Sequence, residues 1–188
     1  MVALCYIDGV VTVYTLGHST LSIEAFVALL HEHRIRGLVD IRRFPASRRH
    51  PHFSREALEA ALGRERVRYD WIEALGGRRP SRPDSPHVAW EVEAFRGYAD
   101  HMETPEFASG IATLLRIAGE RPTTVMCAEA VPWRCHRRLL GDALVVRGVE
   151  VVNVGPGMRE PHRLTPFARV DGKRLVYDRG RQGRLPGT

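Results

Sequence analysis

The sequence predicts an α/β fold: an open, mostly parallel, Rossmann-like sheet of about five strands with flanking helices and a C-terminal β-hairpin. Three observations predict it. Short β-branched runs alternate with stretches of helical apolar spacing, the helical stretches begin at capping residues, and Asp171-Gly172 separates two strand-like segments near the end.

The elements follow in order. VVTVYTL, residues 10–16, has the length and β-branching of a buried strand and stops at Gly17. Ser22 then caps IEAFVALLHEH, in which Phe26, Leu29, Leu30 and His33 recur at helical spacing. GLVDI from Gly37 is a second strand, and Ser54 caps REALEAALGRE, where Leu58, Ala61 and Leu62 share a face. VRYDWI, residues 67–72, is a third strand, followed by a glycine- and proline-rich loop over 76–86. Helical spacing returns in EVEAFRGYADHM and again from Pro105, where Phe107, Ile111, Leu114 and Leu115 form a stripe. TTVMC is a fourth strand, CHRRLLGDALVVRG a helix closed by Gly148, and VEVVNV a fifth strand. One domain spans 1–188, with a core over residues 10–155 and an appended segment over 156–188 that carries the hairpin.

Composition bounds the class. At 188 residues, 44% hydrophobic and 27% charged, the chain is ordinary globular material. Its formal charge of +6 is carried by arginine, Lys173 being the only lysine. Guanidinium forks match phosphate and carboxylate oxygens in pairs, so clustered arginines point to an acidic partner, while scattered ones are a solvated face. Cys5, Cys127 and Cys135 are too few for a disulfide framework, which fits a reducing, cytoplasmic compartment. No run approaches the ~20 apolar residues of a membrane helix, and MVALCYIDGV lacks the basic start of a signal peptide.

In open parallel sheets ligands bind beyond the carboxyl ends of strands. After the first strand come Gly17, His18, Ser19 and Thr20, approaching a helix start where backbone N–H groups favour an anion. Their hydroxyls could equally serve as caps, and His18 could be structural. After the second strand, DIRRFPASRRHPHF sets Asp40 two residues from Arg42, on one side of an extended segment, with Arg43, Ser47, Arg48 and Arg49 in the following loop. Either Asp40 and Arg42 form a local ion pair or Asp40 orients a guanidinium towards an anion. A further arginine cluster runs from Arg78 to Arg82.

MCAEAVPWRCHRRLL is the sharpest constellation, with Cys127, Glu129, Cys135, His136 and Arg137 across a strand-to-helix junction. Pro132 suits the first turn of the following helix, so Cys135 stands near its positive end, where a thiol beside arginine and histidine gains thiolate character. Glu129 suits a general base or a substrate-orienting carboxylate, with a buried ion pair as its structural alternative. The same cysteines and His136 could ligate zinc, but the spacing is not that of a structural zinc site, and no metal or cofactor is assigned.

The motifs YTLGHST, LVDIRRFPASRRHPHF, LGGRR, GYADHMETPEF, MCAEAVPWRCHRRLL and HRLTPFARVDGKRLVY occur here in one order. In them the chain resembles domain-of-unknown-function family 488 from about Tyr14 to Tyr177. The resemblance implies a set of motif positions: Gly17, His18, Ser19, Asp40, Arg42, Pro45, Ser47, Arg48, Gly76, Gly77, Tyr98, Cys127, Glu129, Cys135, His136 and Arg137. Cys5 lies upstream of them all.

The expectation is a hydrolase or group transferase acting on a phosphate-bearing substrate, a nucleotide or nucleic acid. Arg42, Arg48, Arg78 and Arg137 would hold the anion beside Gly17, Ser19, Asp40, Ser47, Gly77 and Tyr98, Glu129 would act as base, Cys135 or Cys127 as nucleophile, and His18 and His136 would move protons. Two other readings stay open: a non-catalytic nucleic-acid-binding module and a thiol redox or metal-dependent protein. Composition does not decide whether the chain is catalytic, nor its oligomeric state.

Overall fold

Strand order decides which loops can meet. The computed structural model describes residues 11–46 and 49–178, so Cys5, Ser47 and Arg48 lie outside the described residues. The first strand, β1 (Thr12–Gly17), leads through α1 (Ile23–Glu32) to β2 (Gly37–Asp40), and α2 (Arg55–Arg64) leads on to β3 (Arg68–Trp71). Two consecutive helices, α3 (Glu93–His101) and α4 (Pro105–Glu120), precede β4 (Thr123–Cys127), and α5 (Arg137–Val145) precedes β5 (Glu150–Gly155). The chain closes with β6 (Met158–Pro161), β7 (Ala168–Asp171) and β8 (Arg174–Tyr177). The main sheet runs β3-β2-β4-β1-β5-β6, parallel from β3 to β5, with β6 antiparallel on β5.

That is the expected α/β sheet with one strand more than the sequence suggested. MREP lacks period-2 alternation and ends in proline, so nothing local announces β6. It is held by pairing with β5 on one side only, and Pro161 is tolerated there because an edge strand leaves one row of N–H groups unused.

Ser22, Ser54 and Thr104 cap α1, α2 and α4 by accepting from Ala25, Ala57 and Phe107 N–H, as their residue types favour. Alternation along the strands then feeds two cores. On one face Leu16, Leu38 and Met126 meet Phe26 and Leu30 of α1 and Leu58 of α2. On the other, Val13, Val39 and Val125 meet Tyr98, Phe107, Leu114 and Leu139 of α3, α4 and α5.

The C-terminal hairpin turns at Gly172, whose φ is +58°, with Asp171 paired to Arg174. Gly172 and Lys173 are therefore the central turn residues, one position later than Asp171-Gly172 would place them. The hairpin is packed in: Leu175, Val176 and Tyr177 are buried. Tyr177 donates its hydroxyl to Asp142 of α5 at 2.9 Å, and the other oxygen of Asp142 accepts from His162 at 2.8 Å and Thr165 N–H at 3.1 Å. Among the described residues no helix is long and apolar enough to cross a membrane.

Candidate active site

Because β4 lies between β2 and β1, the loops that follow these three strands open side by side. The hydrogen-bond ladder of β1 continues past its end, His18 N–H reaching Cys127 O and Ser19 N–H reaching Ala128 O, both at 3.0 Å. The loops come this close because Gly17 has no side chain: a Cβ there would stand 1.8 Å from the Glu129 carbonyl oxygen.

The junction after β4 departs from the expected helix. Pro132 opens a separate 3-10 turn, Pro132–Arg134, and α5 begins only at Arg137. Between them Cys135 is extended (φ −127°, ψ 154°), a conformation no helix can continue through, and its thiol meets that of Cys127 at 2.8 Å. His136, the residue before α5, makes no capping bond with its side chain. Its Nε2 lies 3.2 Å from the Ile41 carbonyl and its Nδ1 3.4 Å from Cys135 Sγ. A carbonyl can only accept, so the proton sits on Nε2 and the Nδ1 lone pair faces the thiol. Thiol, imidazole and backbone carbonyl thus stand in hydrogen-bond sequence.

The two thiols differ. Burial pushes Cys127 up, and its hydrogen bond to Cys135 does the same, so Cys127 keeps its proton. Burial opposes ionisation of Cys135 as well, but the bond from Cys127, the charge and hydrogen bond of His136 and the charge of Arg137 together hold it well below the usual thiol range. Arg137 is 1% exposed. It donates to the Glu129 carbonyl, to Ala130 O at 3.0 Å and to the Thr15 hydroxyl at 3.4 Å. Among the described residues it has no carboxylate partner, and its Nε lacks an acceptor. Burial works against this cation, while the Cys127 and Cys135 sulfurs favour it and prevail. A buried guanidinium without a carboxylate needs another counter-charge, and the Cys127 and Cys135 sulfurs stand in that place.

A second buried pair flanks the first. Arg42 donates to both oxygens of Asp40, Nε lying 2.9 Å from Oδ1, and Tyr69 adds its hydroxyl at 2.8 Å. With two of its three side-chain nitrogens occupied by Asp40, Arg42 directs Nη1 at His18 Nε2, 3.5 Å away. His18 Nδ1 lies 3.0 Å from the Ser19 carbonyl, which assigns the proton to Nδ1. Its ring stacks on Phe53 at 4.1 Å. Burial first, then Arg42, lowers His18 to about 4, so the ring is neutral at pH 7.

These groups floor a cleft of about 750 Å³. Among the described residues five arginines line it, Arg42, Arg43, Arg49, Arg78 and Arg134, against one carboxylate, Glu129. Phe44, 62% exposed, stands on the rim with the Arg43 guanidinium 5.7 Å from its ring centre. Ser19 and Arg78, both on the cleft, adopt left-handed backbone with φ of 45° and 58°. Non-glycine residues hold that conformation at a cost of order 1 kcal/mol or more, and such strain gathers at functional sites.

The family model for the domain of unknown function DUF488 matches residues 22–144 of the 188. The chain belongs to the DUF488 family. No curated protein and no solved structure matches it.

Within the DUF488 match lie Asp40, Arg42, Gly77, Arg78, Tyr98, Cys127, Glu129, Cys135, His136 and Arg137, whereas Gly17, His18 and Ser19 precede it. Of the residues singled out in the sequence, His18, Ser19, Arg42, Gly77, Arg78, Cys127, Glu129, Cys135 and His136 line one cleft. Gly17, Asp40, Tyr98 and Arg137 stand behind it: Asp40 holds Arg42, Arg137 underlies the thiols, and Tyr98 sets its ring 5.0 Å from His136 while donating to Leu75 O at 3.0 Å. Glu129 is exposed and accepts from Val131 N–H at 3.2 Å, so the buried ion pair weighed as its alternative is ruled out. Phe44, Phe95 and Arg134 also line the DUF488 cleft and were not singled out. An aromatic between Arg43 and Pro45 was the available signal for Phe44. Among the described residues no group of three His, Cys, Asp or Glu is arranged to hold a metal ion.

Proposed function

We propose that this DUF488 protein is a thiol-dependent hydrolase or group transferase acting on an anionic, phosphate-bearing substrate such as a nucleotide. The observation that carries the reading is the sequence of contacts Cys127, Cys135, His136 and Ile41 O at the floor of a cleft with five arginines. Cys135 is the nucleophile. His136 takes its proton at Nδ1, the Ile41 carbonyl keeps the ring in the required tautomer, and Cys127 donates to the thiolate. Arg43, Arg78 and Arg134 hold the anion, Phe44 offers a face on which a base can stack, and Glu129 faces the leaving or entering group. His18, neutral and close to Arg42, shapes the opposite wall.

The test is turnover of a panel of nucleoside phosphates and short oligonucleotides by wild type, Cys135→Ser and His136→Ala. Both substitutions should cut the rate ~10²–10⁴-fold while the proteins stay folded. Turnover that survives Cys135→Ser overturns the proposal. A non-catalytic nucleic-acid module, the alternative favoured by the exposed Arg49, Arg78 and Arg134, would bind without turnover and lose affinity steeply with salt.

A further inference from the structure

Cys127 is more than an acidity-lowering neighbour requires. A hydroxyl, an amide or a backbone N–H would serve to donate to a thiolate, yet the group held against Cys135 is a second thiol, its sulfur 2.8 Å away on a different element. The two residues span a short loop from the end of β4 to the start of α5, and both border the cleft. Closing from that contact to the ~2.05 Å of a disulfide asks for less than 1 Å of approach.

We infer that Cys127 and Cys135 are a reversible redox pair, and that hydrogen peroxide converts them to an intramolecular disulfide that switches the site off. The inference rests on the reading of Cys135 as a thiolate. In the first step Cys135 Sγ attacks one peroxide oxygen. The O–O bond breaks, an S–O bond forms, and the departing oxygen takes the proton held by His136 and leaves as water. In the second step Cys127 Sγ attacks Cys135 Sγ. The S–O bond breaks, the S–S bond forms, and the sulfenic oxygen leaves with the Cys127 proton as a second water. Two thiols are oxidised by two electrons and one peroxide is reduced.

Arg137 makes the switch reversible. Its buried guanidinium draws its counter-charge from the thiolate, and a disulfide carries none. Oxidation therefore leaves a buried cation uncompensated, which favours return to the dithiol when a reductant arrives. The disulfide belongs to the labile class, in keeping with Cys127 and Cys135 standing as free thiols.

The experiment uses the full chain, reduced, treated with hydrogen peroxide and denatured. Of the three cysteines one should remain titratable, dithiothreitol should restore all three, and the intact mass should fall by two hydrogens. Trypsin cuts after Arg134, so the disulfide should appear as two peptides linked through Cys127 and Cys135. Cys127→Ser keeps a donor beside Cys135 but removes the resolving sulfur. In that variant peroxide should yield a dimedone-reactive sulfenic acid at Cys135, passing on to a sulfinic acid that dithiothreitol does not reverse. Sulfinic acid at Cys135 of wild type with Cys127 still free, a link through Cys5, or a linked dimer would each overturn the inference. Iodoacetamide separates the two levels of failure. If it alkylates Cys135 at pH 6 while peroxide makes no disulfide, the switch alone is wrong; if Cys135 resists both reagents, the thiolate reading falls with it.

Discussion

A Cβ on Gly77 would stand 2.8 Å from His136 Nδ1, the nitrogen that faces Cys135. Gly77 has an ordinary backbone conformation, so space for the imidazole, and not a special φ, is what this position demands. Gly77→Ala should push the ring off the thiol and move the pH midpoint of Cys135 alkylation by iodoacetamide upward by about one unit. Unchanged alkylation would mean that His136 does not activate Cys135.

Reactivity should also separate the cysteines by pH. With Cys135 held low by Cys127, His136 and Arg137, its alkylation rate should stay nearly level from pH 8 down to pH 6, whereas Cys127, held high by burial and by Cys135, should stay inert in the native protein. Peptide mapping after timed alkylation measures both. A Cys135 rate that drops about tenfold per pH unit below pH 8 describes an ordinary thiol and contradicts the geometry.

Acid should weaken the fold through its buried histidines. His18 is lowered to about 4, by burial and then Arg42, and His87 and His101 are lowered too, burial again leading. His87 accepts Tyr177 N–H at Nδ1, a bond that protonation of that nitrogen would break. For each, the unfolded chain binds a proton more readily than the native one, so their contribution is fully present above the unfolded value near 6.5 and is lost as pH falls towards the folded values. His18 alone accounts for roughly 3 kcal/mol across that window. Thermal melts at pH 7.5, 6 and 4.5 should show Tm falling throughout, and a flat Tm would show that these rings are protonated in the fold.

Glu129 and Asp142 should respond in opposite ways. Exposed Glu129 can become Gln with stability changed by no more than about 0.5 kcal/mol, while any turnover falls ~10²–10⁴-fold if its carboxylate moves a proton. Asp142, fully buried, accepts from Tyr177, His162 and Thr165, and Asp142→Ala should cost about 3–5 kcal/mol and loosen the C-terminal hairpin from α5. Denaturant unfolding of the two variants measures both, and equal losses would refute the assignment of one to the cleft and the other to the scaffold.

Local chemistry in the sequence was enough for the α/β class, because caps at Ser22 and Ser54, β-branched runs and apolar spacing act over a few residues. It also marked Asp40 with Arg42 and Cys127 with Glu129, Cys135 and His136, since those groups are close along the chain. Strand order was beyond it: that β4 inserts between β1 and β2, and so brings His18 to the thiols, depends on which faces bury best across the whole sheet. β6 escaped because MREP is an edge held by one neighbour. Arg137 was legible as a cation but not as a buried one, for only packing against Thr15 and the Glu129 carbonyl removes it from solvent and leaves the cysteines as its counter-charge. Likewise Gly17 and Gly77 read as turn residues in sequence, and only the tertiary fold makes them the gaps through which the Glu129 carbonyl and the His136 ring approach. Periodicity is set by nearest neighbours along the chain, whereas burial, counter-charge and steric clearance are set by neighbours that folding alone brings together.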